Sequence, residues 1–117
     1  MTCTANLGFP RIGTGRELKK ATEDYWKGRI TRQALLDTAQ SLRTSRWQLQ
    51  KEAGINYIPS NDFSLYDHVL DTTAMLGASP GRCGHPGGEV DLDTYFAMAR
   101  GNDRAAAMDM TKWCDTN

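Results

Sequence analysis

Several things are missing from this sequence, and each gap narrows what the protein can be. No apolar run approaches the ~20 residues needed to span a bilayer. Residues 1–10 contain no basic segment followed by an apolar one, as a secretory leader would. Both gaps favour a soluble, cytoplasmic protein. Neither sign of charge is in excess, because fourteen Lys plus Arg face fourteen Asp plus Glu. No overall field therefore draws nucleic acid or an anionic membrane, and a charged ligand must be held locally. Cysteine is sparse: Cys3, Cys83 and Cys114 are odd in number and widely spaced. That argues against a disulfide framework and suits a reducing compartment. Internal repeats and low-complexity tracts are also missing.

Familiar nucleotide motifs fail on inspection. A P-loop needs Gly-Lys-Ser/Thr after its second glycine, whereas Gly13 is followed by Thr14-Gly15. A dinucleotide fingerprint beginning at Gly13 would need glycine or alanine where Leu18 stands. Cys83-Gly84-His85 offers two metal-capable side chains, but paired spacing of the C-x-x-C or H-x-x-x-H kind is missing, and an ordinary loop cysteine beside a loop histidine accounts for them better than a metal site.

What is present reads as alternating strands and helices. At 117 residues the chain has the size of one domain. A short apolar strand is predicted over residues 5–9, closed by Pro10 and followed by the glycine turn Gly13-Thr14-Gly15. A helix over 16–27 follows, with Leu18, Ala21 and Tyr25 on one face and Gly28 as terminator. Thr31 caps a longer helix in which Leu35, Ala39, Leu42, Arg46 and Leu49 recur at helical spacing until Gly54. A second strand is predicted over 55–59, ending in the turn Ser60-Asn61-Asp62. Helices over 65–76 (Val69, Thr73 and Leu76 on one face), 91–100 and 104–115 complete the list, with a glycine-rich surface loop over 78–89. The pattern is α/β. Two or three strands cannot close a barrel while several amphipathic helices need a surface to cover, so the fold is expected to be completed by further chain.

Two stretches carry candidate chemistry. Around Gly13-Thr14-Gly15 a glycine turn enters a helix whose first turns hold Arg16, Lys19 and Lys20. Backbone N–H groups and the positive dipole end at a helix start favour an anion, and the cations add charge-assisted hydrogen bonds. A solvated basic helix face has the same composition. Ser60, Asn61 and Asp62 follow a predicted strand, where ligand sites of α/β folds collect, yet they are also good turn and capping residues.

Taken in order, Leu7-Gly8-Phe9-Pro10-Arg11-Ile12-Gly13, Arg16-Glu17-Leu18-Lys19-Lys20, Trp47-Gln48-Leu49-Gln50-Lys51-Glu52-Ala53-Gly54, Ile58-Pro59-Ser60-Asn61-Asp62-Phe63-Ser64, Tyr66-Asp67-His68-Val69-Leu70-Asp71-Thr72, Asp93-Thr94-Tyr95-Phe96-Ala97-Met98-Ala99-Arg100-Gly101 and Met110-Thr111-Lys112-Trp113 resemble the opening of the cobalamin-independent methionine synthases. The resemblance covers nearly the whole chain. It implies a monomeric enzyme of two (β/α)8 barrels that moves a methyl group from 5-methyltetrahydropteroyl-polyglutamate to homocysteine, forming methionine. It also implies zinc, which holds homocysteine as a reactive thiolate. The zinc ligands and homocysteine site of that family lie in the carboxy-terminal barrel, so no catalytic or metal-binding residue carries over, and residues 1–117 correspond to the first βα units of the folate-binding barrel. What carries over is the folate side: Lys19, with neighbouring Gly15, Arg16, Glu17 and Leu18, and the later contacts Lys112 and Asn117. Each glutamate of the folate tail adds a carboxylate, which suits an Arg/Lys cluster at a helix start. Cys114 departs from the phenylalanine common in the family, and the loop from Cys83 to Gly88 is unusual. The residues alone leave a second reading open, a small anion-binding or interaction module without catalysis. Continuation of the reading frame past Asn117 separates the two. As a piece of the enzyme, the chain is expected to transfer no methyl group by itself.

Overall fold

The computed structural model describes residues 1–108, which divide into two compact units, Met1–Leu65 and a second beginning at Tyr66. The first unit is a helical pair. Helix α1, Glu17–Trp26, and helix α2, Arg32–Glu52, pack against each other. The spacing of their apolar residues explains the pairing: α1 buries Leu18, Ala21 and Thr22, and α2 buries Leu35 and Ala39. Fully burying a leucine contributes about 1.5–3 kcal/mol, and Leu18 and Leu35 are both completely buried. Thr22 is accommodated in this interior because its Oγ1 donates to the carbonyl oxygens of Leu18 and Lys19. Thr31 caps α2 by accepting from the Ala34 N–H at 3.2 Å, which is the start that its position predicts.

The two expected strands do not form. Among the described residues the only β pairing is a single parallel bridge between Ala5 and Tyr57. The direction is the one expected of neighbouring βα units, but the length is not. Local chemistry ends the first segment: the Asn6 side chain accepts from the Gly8 N–H at 2.9 Å, Gly8 turns into the left-handed region at φ 96°, and Pro10 has no N–H to give. Pro59 closes the second segment in the same way. Thr4 and Asn56 hold the pair together through backbone and side-chain hydrogen bonds of 2.9–3.2 Å. Leu7 and Tyr57 stand 98% and 66% exposed, so no layer of the described residues covers the bridge, and two short segments without a covering layer do not make a stable sheet. In place of the expected α/β architecture, the described residues are helical with one bridge.

The second unit joins helix α3, His68–Met75, to helix α4, Leu92–Arg100. Aspartates start both. Asp67 accepts from the Leu70 N–H at 2.9 Å and Asp91 from the Thr94 N–H at 2.7 Å, and this moves the start of α3 from the expected residue 65 to His68. Leu70, Leu92, Tyr95, Phe96, Met98, Ala105 and Ala107 form the interior. The expected face of α3 was wrong, because Val69 and Leu76 are 74% and 72% exposed and Leu70 is the residue that points inward. The loop over 78–89 is mostly exposed and contains one 3₁₀ turn, Gly81–Cys83. Arg82 in that turn donates to the carbonyls of Ala106 and Ala107. Residues 104–108 are not helical, since the Asn102 side chain accepts from the N–H groups of Arg104 and Ala105 and makes a turn there. The remainder of the helix expected over 104–115 lies outside the described residues.

Candidate functional site

The glycine turn and the start of α1 are built by the first unit alone. Ile12 accepts from the Leu18 N–H and Gly13 from the Arg16 N–H, both at 3.0 Å, so the turn folds directly onto the helix it precedes. Gly13 has φ 91°, and a Cβ there would lie 2.2 Å from Glu17 Oε2. Only glycine satisfies both conditions. Arg16, the residue before α1, takes φ 60° and ψ 32° and is the only non-glycine residue with positive φ among the described residues. That conformation costs an L-residue about 1–2 kcal/mol. Strain of this kind, held beside a glycine turn, is a reason to look for function.

The residues singled out in this stretch are brought together, but in different settings. Gly15 and Arg16 are exposed. Glu17 turns back on the loop and accepts from the Gly15 N–H at 3.0 Å, so the protein's own carboxylate occupies one donor that an anion could have used. Leu18 is completely buried and its N–H is taken by Ile12. Its side chain is part of the core rather than of a binding surface. Lys19 Nζ lies 3.4 Å from Glu23 Oε1, with both side chains about 40% exposed. A pair this open is worth about 0–1 kcal/mol, so Lys19 can exchange Glu23 for a ligand carboxylate at little cost. Lys112 and Asn117 lie outside the described residues.

Beside the turn is a cleft of about 320 Å³, walled by Phe9, Pro10, Ile12, Gly13, Thr14, Glu17 and one face of α2. Sequence reasoning missed its most unusual member, Arg46. This residue is only 9% exposed. Its Nη2 donates to the Arg11 carbonyl at 3.2 Å, and its guanidinium carbon lies 5.9 Å from the Phe9 ring centroid and 5.8 Å from that of Phe63. Nη1 is buried and has no hydrogen-bond partner, and among the described residues no carboxylate pairs with it. Gln50 Oε1, one turn further along α2, is likewise buried without a partner. A signal for Arg46 was available, since an arginine holds a position in the apolar series Leu35, Ala39, Leu42, Arg46, Leu49.

The polar stretch after residue 59 is mainly structural in this unit. Asp62 Oδ2 accepts from the Phe9 N–H at 3.0 Å and the Pro59 carbonyl accepts from Trp47 Nε1 at 3.1 Å, while Phe63 carries Arg43 and Arg46 on its ring. These contacts fasten residues 59–63 to α2 and to the Phe9 backbone. In the second unit, His85 Nε2 faces the Gly88 carbonyl at 3.3 Å. No three His, Cys, Asp or Glu side chains converge among the described residues, and no described helix is long and apolar enough to cross a membrane.

Residues 3–117 match the family described as cobalamin-independent synthase, N-terminal domain, and the chain belongs to that family. Among its relatives are three proteins named 5-methyltetrahydropteroyltriglutamate–homocysteine methyltransferase. The one from Nitrosomonas europaea is 59% identical over 116 residues, covering 99% of this chain and 15% of the relative. The one from Parvibaculum lavamentivorans is 60% identical over 121 residues, covering 100% and 16%. The plant protein, from Mesembryanthemum crystallinum, is 57% identical over 111 residues, covering 95% and 14%. The chain thus spans about one-sixth of the length of the relatives it matches.

Proposed function

We propose that the chain contributes folate-polyglutamate binding to a methyltransferase that moves the methyl group of 5-methyltetrahydropteroyltriglutamate to homocysteine, producing methionine. Arg16 and Lys19, set at a strained glycine turn on the start of α1, are the observation that carries this reading. Supporting it are the family match over residues 3–117 and the name shared by relatives 57–60% identical, which favour the enzyme over a free-standing anion-binding module. In this reading Gly15 and Glu17 shape the turn, Arg16 and Lys19 meet the carboxylates of the tail, Leu18 anchors the segment in the core, and Lys112 and Asn117 add contacts. The parallel bridge between Ala5 and Tyr57 is what supports placing these segments as the first βα units of a (β/α)8 barrel completed by further chain. Zinc and homocysteine are assigned to the remainder of the enzyme. Zinc there would supply a thiolate-stabilising charge, and the residues of this chain bind the donor's tail only. A cytoplasmic, monomeric enzyme is the corresponding expectation for the whole protein.

The test is Lys19→Ala in the full-length enzyme, titrated with mono- and triglutamate folates at low and high salt. A charge-assisted hydrogen bond is worth roughly 1.5–3 kcal/mol, so the variant is expected to lose about ten- to a hundred-fold in triglutamate affinity, less in monoglutamate affinity, and less at high salt. Equal loss for both ligands assigns Lys19 to the head group. No loss makes this helix a solvated face and refutes the site.

A further inference from the structure

We propose that Arg46 anchors a ligand carboxylate that enters the cleft between residues 9–14 and α2. Resting on the reading above, that carboxylate belongs to the γ-glutamyl tail. The guanidinium is buried, its Nη1 has no partner, and none of the described carboxylates neutralises it. A buried charge without a counter-charge is unfavourable, and a buried arginine offers a planar fork matched to a carboxylate. The cleft, about 320 Å³, provides the approach: Arg46 forms part of its wall, which the apolar Ile12, Leu42 and Leu49 and the polar Thr14 and Ser45 also line. Phe9 both lines the cleft and lies 5.9 Å from the guanidinium carbon, so it connects the cleft to the buried charge. Glu17 also lines the cleft, and its negative charge opposes the incoming group. The cleft adjoins the turn that leads to Arg16 and Lys19, so successive carboxylates of one tail can meet both sets of cations.

The experiment titrates the full-length enzyme containing this chain with γ-linked triglutamate by calorimetry, comparing wild type, Arg46→Met, Arg46→Lys, Glu17→Gln and Lys19→Ala, with the thermal midpoint of each recorded. Arg46→Met replaces a buried unpaired charge with an apolar stem, so the midpoint is expected to hold or rise while affinity falls about ten- to a hundred-fold. Arg46→Lys keeps the charge without the fork and falls between. Glu17→Gln removes the opposing charge and is expected to tighten binding about three- to ten-fold. If Arg46→Met binds like wild type while Lys19→Ala weakens, the Arg46 inference is overturned and the proposed function stands. If neither weakens, or wild type does not bind, both are overturned. If Arg46→Met lowers the midpoint with affinity intact, Arg46 is a structural residue and the inference fails. Should Arg46→Met not fold, Arg46→Lys decides: weaker binding supports the inference and unchanged binding overturns it.

Discussion

Arg16 offers a sharp test because its strain and its charge pull in opposite directions. Its backbone lies in the left-handed region at φ 60° and ψ 32°, a conformation that glycine adopts freely and that costs arginine about 1–2 kcal/mol. Arg16→Gly relieves this cost but frees the unfolded chain, which returns about 0.4–1 kcal/mol. The net expectation is a protein about 0–1.6 kcal/mol more stable. Lys20→Gly is the control, because Lys20 is exposed on the same helix and in ordinary helical geometry, where glycine costs about 1 kcal/mol. The two substitutions should therefore differ by roughly 1–2.6 kcal/mol in denaturant unfolding followed by circular dichroism, with Arg16→Gly the more stable. The same Arg16→Gly protein is expected to bind triglutamate folate more weakly, since a cation has been removed from the turn. Arg16→Gly losing as much stability as Lys20→Gly would refute the claim that Arg16 is strained. Unchanged affinity would remove it from the site.

Other outcomes follow from the same geometry. Gly13→Ala combines a φ of 91° with a Cβ 2.2 Å from Glu17 Oε2; it should cost about 1–3 kcal/mol in urea unfolding, and Gly13→Ala with Glu17→Ala should recover only the part due to the clash. Leu18→Ala empties a completely buried position and should destabilise the first unit by about 2–5 kcal/mol in the same measurement. Asp91→Ala deletes the cap at the start of α4, for a loss of about 1 kcal/mol read from the thermal midpoint. The purified 117-residue chain, given zinc and both substrates, should form no methionine above background.

The sequence revealed the helices better than the sheet, for a physical reason. The long helix α2 is specified locally: Thr31 supplies its cap and apolar residues recur along one face, so its bounds could be read within a residue or two. A strand needs a covering layer, which residues 5–9 and 55–59 lack among the described residues, and Asn6 and Gly8 turn the backbone before pairing can lengthen. Asp67 was read within a motif, not as a cap, and the start of α3 was placed too early as a result. The glycine turn and its cations were legible because Gly13, Arg16 and Lys19 are adjacent in sequence. Arg46 was not, because its distinction is being buried without a counter-charge beside residues some 35 positions away, and burial is a property of the packed unit.

Amide chemical shifts of the ¹⁵N-labelled chain during titration with γ-linked triglutamate test most directly whether the turn at the start of α1 receives the tail. Binding at this turn predicts saturable shifts concentrated on Gly13 to Lys20, weakened by Lys19→Ala and by salt, with the second unit's α3 and α4 unmoved. Shifts confined to α3 and α4, or none across Gly13 to Lys20 at saturating ligand, would contradict it.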